Sequence, residues 1–367
     1  MPAEKHALTL IKTLRDAGHE TRFVGGCVRD AVLGRKIADI DLASTATPDE
    51  VTAALTKAGI RVEPTGLAHG TVTAVIDGMG IEITTLREDV ETDGRHARVI
   101  FTKDWEKDAR RRDFTLNAMF RDAEGKIHDF VGGWQDAQDG YIRFVGDARA
   151  RIKEDYLRVL RFFRFQATHG KALPDEETLA ACHAAAAHLK DLSRERIWKE
   201  LKKLLAAPNP HPAWKMMSEA GVAQKILPEA HGFRLEQLAQ AEKTFSSVAG
   251  DPILRLAALV YGDKTEAEAL AQRFALSQKE ARDLGIFLDF QPEKAAPFSP
   301  KKVHALAYLY STDIAGKFLL LAAVFGAQFD WESAAKVLEK TRPQSFPLKG
   351  EDLLALGISP GPRVGEI

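Results

Sequence analysis

The chain has 367 residues, 45% of them hydrophobic and 28% charged, the composition of a globular protein with room for about two or three domains. Its net charge of −1 excludes a globally basic nucleic-acid binder, so any basic footprint must be local. Two distant cysteines, Cys27 and Cys182, lack metal-ligand spacing, which argues against a disulfide scaffold or zinc site and fits a reducing, cytoplasmic setting. The N-terminus has no signal-peptide core, and no run reaches the ~18 apolar residues of a membrane span.

Residues 1–17 place apolar residues at helical spacing and end near Gly18, the pattern of an amphipathic helix. The stretch TRFVGGCVRDAVLGRKIADIDLAS, Thr21 to Ser44, follows. It predicts a strand at Thr21–Val24, a Gly25-Gly26 turn, a short helix, a loop, and a second strand carrying Asp39 and Asp41. Two carboxylates at i and i+2 on a strand point to one face. A glycine pair at a strand-to-helix junction leaves backbone N–H groups to meet an anion. Each piece alone also occurs as a plain turn or a solvated strand end. In this order they describe a place where a polyphosphate sits beside a divalent metal.

Thr47 is a good N-cap and Pro48 suits a first helical position, so a helix runs to about Ala58. Short strands are expected at Arg61–Glu63, Thr71–Asp77 and Ile81–Leu86, the last two around a turn at Gly78-Met79-Gly80. Glu82 alternates against Ile81 and Ile83 and is a candidate third carboxylate, or an exposed strand residue. The run Arg87–Arg98 has little apolar material and reads as a mobile polar loop. A helix begins at about Asp104 and leads into Arg110, Arg111, Arg112 and Asp113. Consecutive helical residues face different directions, so the three arginines cannot share one ligand. One or two can reach an anion, and another can pair with Asp113 or face solvent. Residues 125–147 read as two short strands around a Gly-Gly turn, with a second turn at Asp139-Gly140.

From Ala148 to about Pro343 the pattern is nearly all helical. The first long helix, RIKEDYLRVLRFFRFQATHG, places Asp155 and Arg158 at i and i+3 on one face, with Arg161 and Phe165 near it. This helix and LSRERIWKELKKLL, capped at Ser193, are basic enough to offer a track for an RNA backbone. A hinge is expected at 293–301. The chain ends at PGPRVGEI where a further helix is starting, so the protein is expected to continue past Ile367.

The motifs FVGGCVRDAVLGRKIADIDLAS, EPTGLAHGTVTAVIDG, IEITTLR, RRDFTLNA, EDYLRVLRFFRF and SRERIWKEL, in this order, resemble the bacterial class II tRNA nucleotidyltransferases, the CCA-adding enzymes of the DNA polymerase beta superfamily. The resemblance covers about 20–210 specifically and the remainder mainly through helical content. It implies an α+β head with a small mixed or antiparallel sheet, followed by an all-α neck, body and tail. The expected spans are 1–140 for the catalytic head, 141–210 for the neck, and 211–292 and 293–367 for an RNA-binding body and tail. By the same resemblance, Asp39 and Asp41 hold Mg²⁺, with Glu82 as a further candidate. Gly25, Gly26, Arg29, Asp30, Arg111, Arg112, Asp113, Asn117 and Arg161 would surround the nucleotide, and Asp155 and Arg158 would select the base. The implied partners are CTP, ATP and the tRNA 3′ end; monomer or homodimer stays open. The intact Arg87–Arg98 segment favours complete CCA addition. Addition of A alone, or poly(A) synthesis by a related polymerase, is the alternative.

Overall fold

A computed structural model describes residues 2–93, 96–245, 248–291, 298–327, 329–341, 350–357, 359 and 361. The chain divides into two compact units, 1–230 and 231–367. The expected helix start at PGPRVGEI falls on 360–367, of which all but 361 lies outside the described residues, as does most of the hinge expected at 293–301.

The first unit opens with α1 (Pro2–Asp16), which buries Ala7, Leu10, Ile11 and Leu14, a single helical stripe. Strand β1 (Thr21–Val24) is buried at every position and runs straight into α2 (Gly26–Val32). Strand β2 (Asp41–Ser44) leads to α3 (Pro48–Lys57), where Thr47 and Glu50 form the full capping box. Strands β3 (Arg61–Gly66), β4 (Thr71–Ile76) and β5 (Met79–Thr85) follow. The β4–β5 turn is Asp77-Gly78, not the expected Gly78-Met79-Gly80. Both residues adopt positive φ (49° and 77°), as a two-residue hairpin turn requires, and Ile76 pairs with Met79.

The polar stretch after Leu86 is not the loop its composition suggests. It forms β6 (Arg87–Asp93) and β7 (His96–Phe101), a separate antiparallel ribbon. Ladder hydrogen bonds satisfy its backbone, and the register shift between Asp89 and Glu91 hides the strand alternation from sequence. Helix α4 (Trp105–Arg110) starts where expected, with Asp104 accepting from the Glu106 and Lys107 amides. Strands β8 (Phe120–Arg121) and β9 (Ile127–His128) complete the main sheet. Its order is β3-β4-β5-β2-β1-β8-β9, with β2–β5 parallel and the other pairings antiparallel. This is the expected α+β head with a mixed sheet.

At Gly132-Gly133 the expected strand turn opens a helix instead, α5 (Gly133–Asp139), because Asp129 accepts the Gly133 and Trp134 amides at its start. The strand expected after it survives only as a bridge between Phe114 and Phe144. The long basic helix is also broken, into α6 (Ala148–Glu154) and α7 (Leu157–His169). Asp155 lies between them in extended backbone (φ −155°, ψ 107°), its carboxylate accepting the Leu157 amide at 3.1 Å. Short acidic side chains take this capping role in preference to a helix interior. Helices α8 (Glu176–Ala185), α9 (Arg194–Leu205), α10 (His211–Glu219) and α11 (Ala223–Ile226) follow. Ser193 takes the N-cap position of α9 without a side-chain cap bond.

An aromatic cluster joins the sheet region to α7. Phe114 lies 4.8 Å from Phe144 and 5.1 Å edge-on from Phe165, while Phe144 stacks on Phe162. The second unit is helical throughout its described part, from Gly232–Thr244 onward, and includes a core of Phe298, Val303, Ala315, Leu319 and Leu338. No described helix is long and apolar enough to cross a membrane.

Candidate active site

The site begins at the C-terminal end of β1. Gly25 has φ 73° and ψ −126°, a conformation that belongs to glycine, and it caps α2. A methyl built on Gly25 would lie 3.8 Å from Arg112 Nη1 and 3.9 Å from the Asn117 carbonyl. The glycine turn therefore meets the RRDFT segment directly. The first amides of α2 have no partner within the helix by its geometry, although Gly25 itself donates to the Met119 carbonyl.

The carboxylates sit on the neighbouring strand. Only Asp41 belongs to β2; Asp39 precedes it, since neither adjacent strand reaches that far. The alternation nonetheless continues through both. Ile40 and Leu42 are buried, and Asp39 and Asp41 are exposed, so the two acids face away from the core together. Parallel pairing sets Glu82 of β5 opposite Asp41. Desolvation raises the Asp41 pKa, and the Glu82 and Asp39 charges raise it further, against a lowering by Arg112. An acidic group crowded in this way favours a cation. The hard oxygen donors Asp39 and Asp41 suit Mg²⁺, which keeps waters and substrate phosphates among its ligands. Among the described residues no three Asp, Glu, His or Cys side chains form a metal-holding group, so Glu82 stands beside Asp41 without closing a cage.

The arginines divide differently from expectation. Arg110 pairs with exposed Glu106 one turn back. Arg111 and Arg112 both pair with Asp108, each at 2.7 Å. Asp108 is 1% exposed and also accepts the Arg87 amide. Desolvation opposes its charge, but the two guanidiniums outweigh it and hold the carboxyl below the usual range. Burial pushes Arg111 down to about 10, still protonated at neutral pH. Asp108 was missed in the sequence, although its spacing of three and four residues to the arginines was visible.

Asp113 pairs with none of these arginines. It takes Arg161 of α7, with Nε at 2.7 Å and Nη2 at 2.5 Å, and receives the Asn117 amide at 3.4 Å. Asn117 in turn accepts from Arg29 at 2.8 Å, and Arg29 pairs with Asp30 at 2.9 Å. His169 stands 3.6 Å from Asp30. Arg29 and Asp30 are thus engaged in joining α2 to α7. Glu200 of α9, 4% exposed, pairs with Arg164 and lies 3.6 Å from Arg161. Burial works against the Arg161 charge, but Asp113, Glu200 and then Asp155 outweigh it and raise its pKa.

Asp155 and Arg158, expected side by side on one helix face, are set apart by the α6–α7 break, with Asp155 in it and Arg158 in the first turn of α7. Asp155 pairs with Arg196 of α9 at 2.6 Å, and Arg158 pairs with Glu154. Both Glu154 and Arg196 were missed in the sequence as site residues; Arg196 is 41 residues from its partner.

Residues 21–143 match the poly A polymerase head domain family, and residues 174–233 match the family described as a probable RNA and SrmB- binding site of polymerase A. The chain is 37% identical to the mitochondrial CCA tRNA nucleotidyltransferase 1 of Danio rerio, over 95% of its own length and 81% of the relative's. It is 33% identical to the CCA-adding enzyme of Streptococcus gordonii, over 100% and 92%. Its fold is similar to that of the Bacillus stearothermophilus CCA-adding enzyme crystallised in complex with CTP, with a TM-score of 0.76, 29% identity and coverage of 100% and 91%.

Proposed function

The chain belongs to the CCA tRNA nucleotidyltransferase family, and we propose that it adds C, C and A to the tRNA 3′ end from CTP and ATP, releasing pyrophosphate. The observation that supports this reading is the presence of three parts within one compact unit. These are the acidic edge of Asp39, Asp41 and Glu82, the anchored guanidiniums of Arg111 and Arg112, and the donor–acceptor set at Asp155 and Arg158.

In this reading Arg112 and the α2 amides bind the triphosphate, with Arg111 behind them. Asp155 and Arg158 read the base edge. A carboxylate only accepts and a guanidinium only donates. Side by side they suit an amino group next to a ring-nitrogen acceptor, which cytosine and adenine share. Guanine and uracil present the reverse. Asp39 and Asp41 would hold Mg²⁺, which supplies charge neutralisation and activation of the attacking hydroxyl when bound. The RNA 3′-oxygen then attacks the α-phosphorus in line, and the bridge to pyrophosphate breaks. The head (1–140) carries this chemistry in our reading, the neck (141–210) reads the base, and 211–292 and 293–367 hold RNA. Buried, unpaired Cys27 and Cys182 agree with a cytoplasmic setting.

The test offers tRNAs ending before CCA, after C and after CC to each labelled nucleotide separately. Completion of all three to CCA is expected. Extension with A only after CC would replace the reading by A addition, and long A tails would replace it by poly(A) synthesis. Asp39→Ala and Asp41→Ala should each abolish transfer while tRNA binding persists; continued turnover would remove the acidic edge from the chemistry.

A further inference from the structure

Asp155 and Arg158 carry opposite charges within one helical turn. Paired with each other, they would spend donors and lone pairs on one another and turn those that remain away from a shared base edge. The structure gives each its own anchor instead. Arg158 Nη1 donates to the Arg151 carbonyl at 2.6 Å and pairs with Glu154. Asp155 Oδ1 accepts the Leu157 amide at 3.1 Å, and Oδ2 accepts Arg196 Nη2 at 2.6 Å. The Glu154 anchor is local, one turn from its partner. The Arg196 anchor is not, because it comes from α9.

Helix α9 is itself fixed. Trp198, Leu201, Leu204 and Leu205 bury one side of it, and Glu200 is held by Arg164. Arg196 extends from this rigid support with a side chain 34% exposed, beside an Asp155 side chain 26% exposed. The pair is therefore partly open to solvent, and a carboxylate held by two donors keeps its remaining lone pairs in fixed directions.

We propose that Arg196 is a positioning residue for base choice: by holding the Asp155 carboxylate off Arg158, it keeps acceptor and donor separate and aimed at one base edge. This rests on the reading of Asp155 as the base-edge acceptor. Without Arg196, Asp155 is free to turn toward Arg158 or toward Arg161, whose charge it already stabilises. The guanidinium fork gives a directed hydrogen bond that a lysine ammonium does not reproduce.

The experiment measures single-turnover addition to tRNA lacking CCA, for CTP, UTP and GTP in turn, with Arg196→Ala, Arg196→Gln, Asp155→Ala and the Asp155→Ala/Arg196→Ala double variant. Arg196→Ala should narrow the preference for CTP over UTP and GTP by about tenfold, the size of one charge-assisted hydrogen bond. Arg196→Gln, which keeps an N–H donor, should recover part of it. The double variant should discriminate no worse than Asp155→Ala alone, since Arg196 acts through Asp155. An equal loss for every nucleotide with unchanged preference would make Arg196 merely structural and overturn the inference. If Asp155→Ala relaxes base choice and neither Arg196 variant does, the Arg196 role fails alone. If Asp155→Ala itself stays strict, the base-edge reading beneath it fails instead.

Discussion

Asp108→Asn removes one charge and changes almost no volume, so it isolates what the buried carboxylate does. Asp108 is 1% exposed and holds two guanidiniums whose side chains are 14% and 18% exposed. Removing one partner of a buried ion pair costs about 3–5 kcal/mol. Two cations share this carboxylate, but both retain some water, which places the loss near the lower end, at ~3 kcal/mol. For a unit of this size each kcal/mol lowers the melting temperature by roughly 2–4 °C, so a fall of roughly 6–12 °C is expected in differential scanning fluorimetry. Arg112 also lies against Gly25, so its loss of orientation should weaken CTP binding, measured by calorimetry, by about tenfold or more. A variant that melts within about 2 °C of the parent and binds CTP equally well would refute the view that Asp108 anchors Arg111 and Arg112 for the proposed phosphate binding.

Three further outcomes follow from single positions. Gly25→Ala should cost about 1–3 kcal/mol and weaken CTP binding, because alanine must adopt φ 73°, ψ −126° at the glycine turn; an unchanged melting temperature and affinity would remove that constraint. Gly133→Ala should destabilise the first unit strongly, since its Cβ would stand 2.0 Å from the Thr115 carbonyl oxygen, and circular dichroism melting would show it. Asp108 and Asp113 are both held below the usual carboxylate range, chiefly by Arg112 and Arg161 acting against desolvation. Their stabilisation is fully present above the unfolded value of ~3.9 and is lost as pH falls through the lower folded values. Acid melting curves should therefore steepen below about pH 4, and Asp108→Asn should flatten that dependence.

The head was legible because its signals are local. Thr47 and Pro48 mark a helix start by their own chemistry, and the alternation around Ile81 and Ile83 marks a strand. Asp39 and Asp41 declared their shared face through Ile40, although the strand ladder reaches only Asp41. The misreadings share one cause. At Arg87–Arg98, Gly132-Gly133 and Asp155, the outcome depends on which backbone groups find partners, and composition does not report that. The site residues that escaped notice, Asp108, Glu154, Arg196 and Glu200, are the counter-charges of residues that the motifs did mark. Motif residues stand out by type and order. Glu154, Arg196 and Glu200 lie within the stretches EDYLRVLRFFRF and SRERIWKEL, but the sequence does not show which partner each charge takes, and Arg196 and Glu200 stand 41 and 36 residues from theirs.

The base-edge reading also sets a limit on what Asp155 and Arg158 can do. A mismatched guanine or uracil leaves both contacts unpaired, at roughly 1–3 kcal/mol each, enough for strong rejection. Cytosine and adenine present the same amino group beside a ring nitrogen, so this pair cannot distinguish them. In that reading, the change from C to A after two additions must come from elsewhere. Asp155→Ala therefore should do two separable things. It should raise UTP and GTP incorporation relative to CTP by about tenfold or more, through loss of the acceptor. It should leave the order of C before A intact on tRNA lacking CCA. Sequencing the extended 3′ ends reads both at once. A variant that stays strict against U and G would end the edge-reading account, and one that loses the C-to-A order would assign Asp155 a part in the switch.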